Sequence, residues 1–127
     1  MPINNSAKGF LVAFLLLTSV AALAQQRRTP EERAQNQTKW MQNNLALTQD
    51  QNTRVYDIIL HYAREADNTN TNTPPGSEKK LEKRDIMRDK DAELKQVLTG
   101  EQFQKYQAHI REMKNRMMER RAGMDQN

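Results

Sequence analysis

The 127-residue sequence predicts an all-α protein of four helices, arranged as two helix–turn–helix halves. Three observations carry that fold class. Apolar residues recur at steps of three and four along two stretches, Val55 to Tyr62 and Phe103 to Met117. The segments Leu47-Thr48-Gln49-Asp50-Gln51 and Leu98-Thr99-Gly100-Glu101-Gln102, 51 residues apart, each have the form of a capping box that starts a helix. Between them, residues 67–76 form an Asn/Thr run that ends in Pro74-Pro75-Gly76, which reads as a flexible linker.

The N-terminal 24 residues read differently from the rest. Lys8 is followed by the apolar run of residues 9–17 and by Ala22-Leu23-Ala24, the pattern of a secretory signal peptide cleaved after Ala24. The expected working domain is therefore 25–127, periplasmic, in the envelope of a bacterium. No stable membrane insertion is expected after cleavage, because no later run is apolar enough to span a bilayer. Loss of Lys8 lowers the formal net charge from +4 to +3, which permits acidic partners without demanding them, and export argues against nucleic acid as a partner.

Leu, Ile, Val and Phe fill only 13 of the remaining 103 positions, below the roughly 20% at which a compact core becomes doubtful. Low net charge and periodic apolar spacing argue against disorder. A thin helical assembly completed by a second subunit reconciles the two facts. With no cysteine, neither a disulfide nor a cysteine-ligated metal is available, so helix packing alone must supply stability.

Each helix has its own signals. Thr29-Pro30-Glu31-Glu32 places a hydroxyl at the N-cap, proline at the first helical position and Glu32 where it closes a capping box. The first helix should run from about Pro30 to Leu45, with a weak apolar face (Ala34, Trp40, Met41, Leu45) that suggests either loose docking or service to a partner. Thr48 and Gln51 start the second, in which Val55, Ile58, Ile59 and Tyr62 share one face. A third should run from near Ser77 to Val97, burying Leu81, Ile86 or Met87, Leu94, and Val97 or Leu98. Thr99 and Gln102 start the fourth, where Leu98 can pack on Phe103 as a hydrophobic staple and Tyr106, Ile110, Met113 and Met117 continue the stripe. In the first copy Asn52 stands where the second has Phe103, which predicts a less rigid bend.

Two L-T-x-x-Q motifs in a small exported helical chain give a pattern that resembles the Spy/CpxP family of periplasmic proteins, over roughly Pro30 to Arg121. The resemblance implies a four-helix protein that pairs into an antiparallel, cradle-like homodimer. It further implies an ATP-independent chaperone that holds unfolded or partly folded envelope proteins, or an envelope-stress binding protein. The alternative it implies is a regulatory partner of an envelope sensor kinase, with a metal-responsive protein as its variant.

Catalysis is not expected, since Ser6 falls in the signal and Ser77 at a cap, and no nucleophile stands beside a base. No cofactor is expected either. For metal, the candidates are His61, His109 and the soft ligands Met113, Met117, Met118 and Met124, with His109 and Met113 one turn apart and no second histidine at i+3 or i+4. Against them, Met113 and Met117 extend the apolar stripe, which favours core packing. The segment 114–121 joins Met117 and Met118 to Lys114, Arg116, Arg120 and Arg121. Adaptable thioethers among flexible cations suit client binding without a defined pocket, although a frayed amphipathic helix end has the same composition.

Overall fold

A computed structural model describes residues 27–125, so the expected signal peptide at 1–24 lies outside the described residues. Four helices follow in order: α1 Pro30–Leu45, α2 Gln49–Asn72, α3 Ser77–Val97 and α4 Gly100–Met124. No strand occurs among the described residues. Thus the fold is all-α and four-helical.

Three of the four starts are capping boxes. Thr29, Thr48 and Thr99 each accept the amide of the third helical residue through the side-chain oxygen, while Glu32, Gln51 and Gln102 return a side-chain oxygen to the cap amide. The helices therefore begin where the chain supplies its own partners for otherwise orphaned N–H groups. At the end of α1 the chain reverses through Ala46, which sits in the left-handed region at φ 51° and ψ 53°. That conformation usually follows a helix end and costs a non-glycine residue about 1 kcal/mol.

α1 and α2 pack along their lengths as a hairpin, and α3 returns along the other side of α2. α4 leaves this three-helix layer and touches α1 and α3 only over its first turns. The core lies where the four meet: Ala34, Met41, Leu45, Val55, Ile59, Leu94, Leu98 and Tyr106 are buried, with Trp40, Phe103 and Ile110 packed around them. Burial of each large apolar side chain here is worth about 2 kcal/mol.

Several sequence expectations need correction. The run expected to be a flexible linker at 67–76 is helical through Asn72, and only Thr73-Pro74-Pro75-Gly76 connects α2 to α3. Tertiary contacts override the weak propensity of Asn and Thr. Asp67 pairs with Arg33 of α1 at 2.5 Å, Thr69 is buried, Lys79 of α3 donates to the Asn70 carbonyl at 2.7 Å, and Thr71 Oγ1 donates back to the Asp67 carbonyl at 3.0 Å. After the two prolines Gly76 takes φ 155°, a conformation open essentially to glycine alone.

α1 was expected to dock loosely, yet Ala34, Thr38, Met41 and Leu45 are all buried. On α3, Leu81 (55% exposed) and Met87 (38%) face outward, while the inward stripe runs Glu82, Ile86, Lys90, Leu94, Val97. The reason is the neighbour. Beside the first half of α3 lies the polar end of α2, so the contacts made there are polar, as in the hydrogen bond from Thr73 Oγ1 to Glu82 at 2.8 Å. Met113 (45% exposed) and Met117 (53%), expected to pack in the core, also face outward, because α4 has already left the layer before it reaches them.

Candidate functional site

The two L-T-x-x-Q segments, far apart in sequence, meet at the centre of the molecule. Gln51 Nε2 donates to Gln102 Oε1 at 2.8 Å, and Gln102 Nε2 donates back to Gln51 Oε1 at 3.2 Å. Each amide nitrogen also donates to the last carbonyl of a helix in the other half: Gln51 to Val97 at 3.1 Å, Gln102 to Leu45 at 3.0 Å. Each oxygen meanwhile accepts its own cap amide, Thr48 at 3.0 Å and Thr99 at 2.9 Å. Both side-chain amides thereby use two donors and two acceptor sites, their full capacity. Leu47 is half-buried and Leu98 buried beside this knot, while Thr48 and Thr99 remain at the surface.

The knot is a structural joint. It contains no titratable group and no cavity, and it fixes where α2 and α4 start relative to one another. Three further ties surround it. Tyr62 of α2 donates its hydroxyl to Glu93 of α3 at 2.7 Å, and Tyr106 of α4 donates to Asp91 of α3 at 2.9 Å. The Glu93 carboxylate pushes the Tyr62 hydroxyl up to about 12. Burial, reinforced by Asp91, raises that of Tyr106 further. The third tie is an aromatic stack: the Trp40 and His109 rings lie 3.6 Å apart and 13° from parallel, joining α1 to α4.

These partners left little trace in the sequence. Twin capping boxes signalled two helix starts but not that their glutamines bond to each other. Nothing in the spacing of Tyr62, Tyr106, Trp40 or His109 indicated what each would meet.

The weak metal candidates are placed apart from any ligand cluster. His109 spends its ring face on Trp40, Met113 lies one turn beyond it and 45% exposed, and the described residues contain no group of three or more His, Cys, Asp or Glu side chains that could hold an ion. On α3, burial lowers the Lys90 ammonium below its ordinary value; Asp91 opposes the shift and Lys114 adds to it.

The remaining candidates form one continuous surface. From Arg111 to Asp125 every residue is exposed; Arg111 and Lys114 still border Asp91 of α3, and beyond them the end of α4 projects from the body. Lys114, Arg116, Met117, Met118, Arg120 and Arg121 all lie on it, with Arg116 paired to Glu112 one turn away. Met117 is 53% and Met118 61% exposed. An isolated helix of this length is marginal in water, so a partner that covers it would stabilise it.

A family model described as a domain of unknown function (DUF4890) matches residues 21–106, about two thirds of the chain. The match takes in α1 to α3 and both capping motifs, and it stops at Tyr106, before the projecting half of α4. No curated protein and no solved structure matches the chain.

Proposed function

We propose that this chain, which belongs to the DUF4890 family, is a periplasmic holding protein that binds unfolded or partly folded envelope proteins without nucleotide, in the manner of the Spy/CpxP proteins its motifs resemble. One observation carries the reading: the projecting half of α4 bears four exposed methionines among five cations and two carboxylates. Cations draw in acidic chains from a distance, and methionine then accommodates many apolar shapes, because it has several rotors and a polarisable sulfur. The breadth of contact replaces a fitted pocket.

The proposed unit is a homodimer. Leu81 and Met87 on α3 and the methionines of α4 leave apolar surface uncovered on the second half of the molecule, and a second copy would cover part of it.

The test is light scattering from a chemically denatured test protein diluted into buffer without ATP. The exported chain should suppress aggregation at near-stoichiometric amounts, and the combined variant Met113→Ser, Met117→Ser, Met118→Ser should lose most of that effect while its helical signal stays unchanged. A folded wild-type chain with no suppression overturns the reading and redirects the search to tight binding of one envelope partner, such as a sensor kinase.

A further inference from the structure

At the end of the body farthest from the glutamine knot, the start of α1, the end of α2 and the start of α3 converge around an open cleft of about 560 Å³. Its lining carries Arg27, Arg28, Arg33 and Lys79 against one carboxylate, Asp67. That carboxylate is already taken, since Arg33 Nη2 holds it at 2.5 Å and also donates to the Ala63 carbonyl at 3.2 Å. The nearby acid of α1, Glu32, is occupied as well, closing the capping box on the Thr29 amide. Lys79 Nζ reaches only a neutral partner, the Asn70 carbonyl at 2.7 Å. Arg27 and Arg28 form no ion pair among the described residues. Residues 1–26 contain no Asp or Glu.

We propose that this cleft is an oxyanion site for phosphate-type groups, either free or carried on a lipid headgroup. Three cations that pair with no carboxylate among the described residues converge on it, and a fourth, Arg33, is held in place by its own ion pair. Arg33 Nε is buried without a hydrogen-bond partner among the described residues. Guanidinium groups match phosphate geometry with paired N–H donors, and a lysine supplies a movable point charge. The chain itself leads into the site: the apolar run at 9–17 precedes Arg27 by ten residues, so at any stage when that run is in a bilayer the cleft is held near the headgroup phosphates. The site is separate from the client-binding surface on α4, and neither proposal depends on the other.

The test compares the wild-type full chain with the combined variant Arg27→Gln, Arg28→Gln, Lys79→Gln, which leaves Arg33 and its ion pair intact. Calorimetric titration with inorganic pyrophosphate at low ionic strength reads the free anion. Co-sedimentation with phosphatidylcholine vesicles, with and without phosphatidylglycerol, reads the lipid arm; because both proteins share residues 1–26, only the difference between them reports on the cleft. Saturable pyrophosphate binding that weakens about tenfold or more in the variant supports a site for free oxyanions. A preference for phosphatidylglycerol vesicles that the variant loses supports the headgroup source. Equal behaviour of wild type and variant in both arms, or binding in neither, overturns the proposal.

Discussion

At the residue scale, the choice between Glu and Gln at the third helical position is decided by what lies beyond the cap. Glu32 needs only to accept the Thr29 amide, and a carboxylate does that well. Gln51 and Gln102 accept the same way but must also donate to each other and to a helix-end carbonyl. A glutamate there would turn two donors into acceptors that face oxygen atoms. Gln102→Glu should therefore destabilise the fold at neutral pH by about 2 kcal/mol or more, well beyond the ~1 kcal/mol of a lost cap. Glu32→Gln should change stability little. Urea unfolding of the two variants checks the contrast, and equal losses would sink the role assigned to the glutamine pair.

At the element scale, α3 is held by two tyrosine hydroxyls as well as by the buried Leu94. Tyr62 and Tyr106 both donate to carboxylates of α3, and both are shifted upward from their ordinary value of 10.0, Tyr62 to about 12. A raised folded value means that the neutral hydroxyl is favoured in the fold. The associated stability is fully present below pH 10 and declines as pH rises from 10 toward 12 and beyond. Tyrosine absorbance and helical signal followed together should show ionisation coupled to unfolding in that window, a coupling that Tyr62→Phe should reduce. α4 is held near its start by the stack on Trp40, the single tryptophan of the chain. His109→Ala should expose that indole and shift its emission to longer wavelength. An unchanged spectrum would mean that α4 does not rest on α1 in solution.

At the scale of the whole molecule, the halves begin with the same motif and end differently. The first closes into a hairpin, whereas in the second α3 turns away to α2 and α4 projects, leaving Leu81, Met87 and four methionines of α4 at the surface. Covering these side chains with a second copy is what the proposed homodimer requires. Sedimentation velocity of the exported chain should give a dimer, and Leu81→Lys with Met87→Lys should shift it to monomer without loss of helix. A monomeric wild type would remove the homodimer from the proposed function and leave α4 as a free arm.

What the sequence determined by itself is local. Helix starts at Thr29, Thr48 and Thr99, the ends of α1 and α3, and the inward face of α2 all follow from side chains that satisfy or bury neighbours a few residues away. The tertiary structure decided everything that depends on a distant partner. It carried α2 six residues into the Asn/Thr run, because Arg33 and Lys79 hold that segment from outside. It turned the inward stripe of α3 away from Leu81 and Met87, because the surface it packs on there is polar. It left Met113 and Met117 exposed, because no described residue covers them. It also joined Gln51 to Gln102 and gathered Arg27, Arg28, Arg33 and Lys79 around one cleft, since hydrogen-bond capacity and charge are written in the sequence but the residues that meet them are fixed only when helices pack.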